Sequence, residues 1–136
     1  MTQIFAKTAL AFLAASLSVA ASAQTIEGHW INPKGNVVVR VARCGGDTYC
    51  GVVVKASAHA QESARAGGTP HLIGTQILSG LRPAGDGTFK GQVFDPKRNI
   101  RAPATIRADG DNAITVRGCA IAGMLLCKEQ RWTRAG

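Results

Sequence analysis

Turn-forming residues recur at such short intervals along this chain that no convincing long helix is predicted. From Thr25 onward, short apolar runs alternate with segments rich in Gly, Pro, Asn and Asp, the residues that favour turns. The run from Ile100 to Arg107 alternates apolar and polar side chains one by one, which is the period of a strand with one buried face. The pattern predicts an all-β chain of seven to eight strands, joined mostly by hairpins. Such a meander has to close into a barrel or fold into a sandwich.

Two segments interrupt this rhythm. Ala56 to Pro70 is predicted to be a long loop, with a helical turn through its alanines as the alternative. Leu72 to Leu81 is apolar but irregular in its spacing, which predicts a segment that packs onto the sheet or into its interior. The sequence leaves undecided whether Leu72–Leu81 fills the interior of a barrel or leaves it open.

The N-terminal residues 1–23 have the pattern of a secretory signal peptide. Lys7 supplies a positive charge, Ala9 to Ala20 is mostly apolar, and Ala21-Ser22-Ala23 has the small residues of a cleavage site. Cleavage after Ala23 leaves residues 24–136 as the mature chain, a length that suits a single domain. No later apolar run approaches the roughly 20 residues that a membrane span needs. We therefore expect export to a bacterial periplasm, with no transmembrane segment in the mature chain.

All four cysteines follow this leader. An even number of cysteines in a small exported domain predicts two disulfides. Of the three connectivities, the local one, Cys44–Cys50 and Cys119–Cys127, is preferred, because each pair brackets a Gly-containing loop between two strand-like runs. A zinc site built from the four thiols is the alternative, and the spacing within each pair is poor for zinc.

Five short motifs follow one another along the chain, and together they resemble those of a known family. They are Gly28-His29-Trp30; Arg43-Cys44-Gly45 with Cys50-Gly51; Ile77–Leu81 ahead of Val93-Phe94-Asp95-Pro96; Val116–Cys119; and Gln130–Arg134. In this order the chain resembles the exported bacterial family called domain of unknown function 2147, from about Ile26 to Arg134. The resemblance implies a small antiparallel meander barrel of the calycin or lipocalin type, and it implies no activity.

The first of these motifs also predicts how the barrel closes. In calycin barrels, the Trp of a G-x-W on the first strand packs against an Arg from the last strand. Gly28 and Trp30, with Arg131 or Arg134, supply both parts. A guanidinium stacked on an indole stabilises by cation–π attraction, so the predicted role of these residues is structural.

No arrangement of side chains in the sequence is typical of an enzyme or a metal site. Each of the five aspartates lies at a turn containing Gly or Pro, where its side chain stabilises the backbone. His59 and His71 flank one loop and could converge, but together with His29 they are better interpreted as isolated surface histidines. No serine has the flanking glycines of a nucleophile elbow. The sequence therefore predicts a protein that is not an enzyme and that holds neither a metal nor a cofactor.

Two function classes remain, and the first is a non-catalytic binding barrel. Small residues on predicted inward faces, Gly91, Ala102 and Ala104, would leave room for a small apolar or amphipathic ligand.

The second class is an envelope interaction protein that docks on another protein or on an anionic membrane surface. The formal net charge of +8 favours anionic partners, and strand parity places Arg101, Arg107 and Arg117 outward. The segment 120–126 has no polar side chain, so Ile121, Met124 and Leu125 would either plug one barrel end or form an exposed docking tip. Nucleic acid is disfavoured as a partner because no aromatic residues interleave the basic strands.

Overall fold

The computed structural model describes residue 11, residues 14–15, residues 25–121 and residues 125–135 of the chain. Within them the chain forms eight strands and one helix: β1 (Gly28–Ile31), β2 (Val37–Gly45), β3 (Thr48–Ala56), α1 (Ala58–Ala66), β4 (Gln76–Pro83), β5 (Thr88–Asp95), β6 (Ile100–Ala108), β7 (Ala113–Ile121) and β8 (Leu125–Arg134). Each strand pairs antiparallel with the next, and β8 pairs with β1, so the sheet closes. The predicted all-β meander is confirmed, and it is a barrel rather than a sandwich.

Most of the predicted leader lies outside the described residues. Of positions 1–23 only 11, 14 and 15 are described, and the cleavage site after Ala23 falls outside them. In the part of the chain that is described, no helix has the length and apolar character to cross a membrane.

The core of the barrel is built from the inward faces of all eight strands. On β6 the predicted alternation is confirmed from Arg101 to Arg107, because Ala102, Ala104 and Ile106 are buried while Arg101 and Arg107 are exposed. Ile100, which the alternation also placed inward, is 43% exposed because it lies at the end of the strand beside the open turn. The largest side chains that are almost completely buried are Trp30, Ile26, Leu78, Leu81, Ile106, Ile114, Val39, Val41 and Val53. Each side chain of this size stabilises the fold by about 1.5–3 kcal/mol when it leaves water.

One end of the barrel is closed by Arg134 and the segment before β1. The Arg134 guanidinium carbon lies 4.3 Å from the centre of the Trp30 ring. The same guanidinium donates to the backbone oxygens of Glu27, at 3.0 Å, and Asp111, at 2.7 Å. Trp30 in turn donates from Nε1 to the Ile26 carbonyl at 2.8 Å. Arg131, the other candidate for this role, is exposed on the outer face opposite Thr115, so the stacked arginine is Arg134.

Both disulfides have the predicted local pairing, Cys44–Cys50 and Cys119–Cys127. The loops that they were expected to close are shorter than predicted. The strand β2 continues to Gly45 and β3 begins at Thr48, and Cys119 lies directly opposite Cys127 in the ladder. Each disulfide therefore joins two paired strands.

The predicted apolar loop at 120–126 is partly strand. Ala120 and Ile121 pair with Leu126 and Leu125 in the ladder between β7 and β8. Met124 lies in 122–124, outside the described residues, and the side chains of 120–126 are not described either. The inward plug and the docking tip therefore both stay predictions.

The predicted loop from Ala56 to Pro70 contains a helix of nine residues, α1. Ser57 caps its N-terminus, because the side-chain oxygen accepts from the backbone N–H of Ala60 at 3.0 Å. The residues that α1 buries are Ala60 and Ala64. A buried face of alanines alone gives a weak apolar period, which is why the sequence indicated no more than a turn.

The prediction for the irregular apolar segment Leu72–Leu81 is also corrected, because its second half belongs to the barrel strand β4. Ile77 and Leu78 are buried although they are adjacent. Register shifts in both of its ladders break the simple alternation. One lies between Tyr49 and Val52 in the pairing with β3, and the other between Ser79 and Arg82 in the pairing with β5. A bulge adds a residue to one strand and turns the following side chains to the other face, so a strand of this kind does not show period two in its sequence.

Candidate binding cavity

A cavity of about 430 Å³ opens at the barrel end opposite Arg134. In an up-and-down barrel, successive turns alternate between the two ends. The turns β1–β2 and β5–β6 therefore lie at this open end, while Asp111, which holds Arg134, lies at the other. The volume is within the range of about 300–1,000 Å³ that is usual for ligand pockets.

The wall of the cavity is mainly apolar and comes from most of the barrel strands and from α1. Its deep lining includes Val39, Val53, Ile77, Ala102, Val116 and Trp132. Gln130 also lines the cavity, and its side-chain oxygen accepts from Nε1 of Trp132 at 3.0 Å. Among the residues that the structure describes, no buried side-chain nitrogen or oxygen lacks a hydrogen-bond partner. The interior therefore offers a ligand apolar contact rather than unpaired polar groups.

The helix α1 forms one side of the mouth and is attached at both ends. The backbone N–H of Ser57 donates to the Asn36 carbonyl at 2.9 Å. After the helix, the Thr69 hydroxyl donates to the Pro96 carbonyl at 2.9 Å. Gly67 lies so close to the Lys97 carbonyl that a Cβ at this position would collide with it. The helix is thus held between the β1–β2 and β5–β6 turns, with its alanines facing the cavity.

Basic side chains surround the rest of the mouth. Lys34 comes from the β1–β2 turn, Lys97 and Arg98 from the β5–β6 turn, and Lys128 from β8. The Arg98 guanidinium is paired with the Asp95 carboxylate at 3.7 Å. In the described part of the chain, no carboxylate lies within 4.0 Å of the ammonium groups of the three lysines.

The lysines at the mouth act on one another. Burial lowers the pKa of Lys97 from its ordinary value. The nearby positive charge of Lys34 lowers this pKa further, and the more weakly acting charge of Lys128 has the same direction. Asp95 acts in the opposite direction. The surroundings of Lys97 at the mouth therefore disfavour its charged form.

Sequence reasoning found one residue of this cavity and missed the lysines. Of the small residues predicted to leave room, Ala102 lines the cavity. Gly91 and Ala104 do not belong to its lining, and the space next to Gly91 is occupied by the Ser79 carbonyl and the Leu81 side chain of β4. Lys128 could have been identified from the sequence, because it lies an even number of residues before the buried Trp132 on β8 and therefore faces the same side of the strand. Lys34 and Lys97 lie in turns, where a lysine is ordinary.

The predicted outward arginines are exposed, but they do not form a free basic patch. Arg101 stacks over the Phe94 ring, with its guanidinium carbon 5.0 Å from the ring centre. Arg107 donates to the Asp109 carboxylate at 3.0 Å. Arg117 lies opposite Thr105 on one side and Glu129 on the other. Two of the three arginines therefore already have partners within the chain.

Asp109 also accepts from the hydroxyl of the buried Thr115. This hydrogen bond, followed by the one from Arg107, lowers the pKa of Asp109.

In the residues that the structure describes, no three His, Cys, Asp or Glu side chains are grouped closely enough to hold a metal ion.

Comparisons with known proteins agree with this architecture. A family described as "Uncharacterized protein conserved in bacteria", domain of unknown function 2147, matches residues 28–134. No curated protein matches the sequence. A solved structure that matches is titled "Protein HP1028 from the human pathogen Helicobacter pylori belongs to the lipocalin family", with a TM-score of 0.62, 10% identity, and coverage of 83% of this chain and 84% of that chain. At this identity the likeness shows the fold alone, which is a lipocalin-like barrel.

Proposed function

The chain belongs to the bacterial family called domain of unknown function 2147, and we propose that it is a non-catalytic barrel that binds a small apolar or amphipathic ligand. The observation that carries this proposal is the cavity of about 430 Å³ with its largely apolar wall. Closed barrels of eight strands have an interior wide enough to hold one small ligand. Here one end is closed by Arg134 and the other is open, so a ligand would enter beside α1.

The segment Leu72–Leu81 supports this reading because it fills the interior only in part. Leu78 and Leu81 are completely buried in the core. Leu72 and Ile77 line the cavity instead. Both side chains are already largely buried, so the stabilisation on binding would come mainly from the ligand's own apolar surface leaving water, about 25 cal/mol per Å².

A neutral fluorescent probe, N-phenyl-1-naphthylamine, tests the proposal. Its emission should rise when it enters the cavity, and two cavity-filling variants, Ala102→Phe and Ala64→Leu, should each weaken binding at least about tenfold by removing space. Ala84→Phe is the matched control, because Ala84 is exposed in the turn between β4 and β5 at the opposite end. The proposal fails if the native protein does not bind the probe, or if the control weakens binding as much as the cavity variants.

The alternative, docking through the outer basic face, has weaker support. Arg101 and Arg107 are engaged with Phe94 and Asp109, so binding an anion there would replace existing contacts. We place the binding function in the periplasm, because the leader pattern and the two disulfides are typical of exported proteins.

A further inference from the structure

We propose that the ligand is a single-chain amphipathic anion, whose aliphatic chain lies in the cavity and whose head, a carboxylate or a phosphate, lies among Lys34, Lys97 and Lys128. This inference rests on the proposed binding function and names the chemical class of the ligand. Carboxylate and phosphate heads share the chemistry that matters here, which is a compact negative charge able to accept several N–H donors.

The first argument is the convergence of three cations on one rim. The three lysines come from a turn near the start of the barrel, a turn near its middle and the last strand. Nothing in the local sequence requires them to meet, yet all three line the same cavity. Arg98, the fourth basic residue of the rim, is paired with Asp95. The lysines are therefore the cations that remain to receive an anion at the mouth.

The second argument is electrostatic. Lys97 is exposed at the rim and lies beside the charge of Lys34, with Lys128 adding to the repulsion and Asp95 opposing it. A negative head placed among these groups would reverse the repulsion, since an opposite charge nearby favours the charged form of an amine. A cleft residue whose charged form is disfavoured, as that of Lys97 is, is a candidate for a binding site.

The third argument is the contrast between rim and interior. Beyond the rim the wall is largely apolar, and the polar side chains near it have partners within the chain. Gln130 accepts from Trp132 at 3.0 Å, and in the β1–β2 turn Asn32 donates to Asn36 at 2.7 Å. A ligand polar along its whole length, such as a sugar or a peptide, would lose hydrogen bonds to water without replacement. A volume of about 430 Å³, in the lower half of the usual range, suits one aliphatic chain rather than two.

The experiment compares ligands that share a ten-carbon chain and differ in the head. Decanoate, decyl phosphate, decanol and decyltrimethylammonium each displace N-phenyl-1-naphthylamine, at concentrations below those at which they aggregate. We expect at least one of the two anions to bind about tenfold more tightly than decanol. This is the gain in affinity expected when the anionic head forms three exposed ion pairs with the lysines. The cation should bind more weakly than decanol. Affinity should rise about fourfold for each methylene until the chain fills the cavity. Acetate and inorganic phosphate, which lack the chain, should compete far more weakly.

The matched variants carry equal changes in charge. The triple variant Lys34→Gln, Lys97→Gln, Lys128→Gln should lose the preference for anions and keep its affinity for decanol. The control is Lys55→Gln, Lys90→Gln, Arg117→Gln, which removes three positive charges from exposed side chains outside the cavity lining. It should keep the preference.

Two single variants at Lys97 keep the proposal testable if the triple variant does not fold. The contacts that Lys97 makes with Asp95 and Gly67 in the turn use its backbone N–H and carbonyl, so its side chain can be replaced without disturbing them. Lys97→Gln should weaken decanoate or decyl phosphate binding, and Lys97→Arg, which retains the charge, should restore it.

Three results overturn the inference while the proposed function stands. They are equal binding of decanol and both anions by the native protein, an equal loss of preference in the control triple, and no difference between Lys97→Gln and Lys97→Arg. Failure of the neutral probe and decanol to bind at all would instead refute the proposed function itself.

Discussion

At the scale of single residues, Gly28 shows why a G-x-W motif starts with glycine. Its φ of +129° is unfavourable for any side chain, and a Cβ would collide with Nη1 of Arg134, the group that closes the barrel over Trp30. The backbone conformation and the lack of room for a side chain thus both require glycine at position 28. The stacking of Arg134 on Trp30 depends on that glycine.

Gly28→Ala should therefore reduce the free energy of unfolding by about 3 kcal/mol. Gly35→Ala is the control, since Gly35 also has a positive φ, +68°, but a Cβ added there would have no atom within 4 Å. It should cost about 1 kcal/mol, the backbone contribution alone. Urea unfolding measures both, and equal losses would contradict a role for the Arg134 contact.

Asp109 is a residue whose ionisation stabilises the fold. The hydrogen bond from Thr115, and then that from Arg107, lowers its pKa. A carboxyl whose pKa is lower in the folded than in the unfolded chain stabilises above the unfolded value, and this contribution is lost as the pH falls through the folded value. Asp109→Asn should therefore cost about 1–2 kcal/mol at pH 7, with the difference from the native protein shrinking below about pH 4.

Urea unfolding at a series of pH values tests this expectation. Asp47→Asn, in the exposed turn between β2 and β3, is the control and should change stability by less than about 0.5 kcal/mol at pH 7. A difference between Asp109→Asn and the native protein that stays constant down to about pH 2–3 would show that the carboxylate charge is not what stabilises.

At the scale of elements, α1 is capped by its own Ser57 but is positioned by the turns on either side of it. Its buried side chains are two alanines, and its ends are tied to Asn36 and, through Thr69, to Pro96. The close approach of Gly67 to the Lys97 carbonyl sets how deeply the helix lies against the β5–β6 turn.

Gly67→Ala tests the effect of this close contact alone, because the φ of Gly67, −86°, is acceptable for alanine and adds no backbone strain. The only cost is steric, and we expect a loss of about 1–3 kcal/mol together with weaker binding of N-phenyl-1-naphthylamine as the helix moves. Gly45→Ala on β2, where the nearest atom to a Cβ is 3.7 Å away, should change neither quantity. A Gly67→Ala protein with native stability and native probe binding would show that the helix is free to shift without consequence.

At the scale of the whole molecule, the leader and the disulfides predict one mature product. Protein purified from the periplasm of an expressing bacterium should begin at Gln24 and contain no free thiol, since the four cysteines are paired. Intact mass before and after alkylation without reductant measures both properties. Retention of residues 1–23, or alkylation of two or more cysteines, would contradict the prediction.

The sequence alone determined the features that depend on neighbours along the chain. Alternation on β6 indicated the buried face of Ala102, Ala104 and Ile106, and the cysteine spacing indicated local disulfides. Both follow because a strand exposes alternate residues to two environments, and because a hairpin brings its own ends together. The same logic explains the failures, since register shifts erased the alternation of β4 and alanines hid the period of α1.

Only the tertiary structure decided the cavity and its mouth. Lys34, Lys97 and Lys128 lie far apart along the chain, and closing the sheet by pairing β8 with β1 sets which strands and turns surround the open end. The choice of Arg134 over Arg131 at the other end has the same origin, because the parity of β8 inside the closed barrel turns Arg131 outward. Alternation records whether a residue faces in or out, whereas closure decides which distant residues face each other.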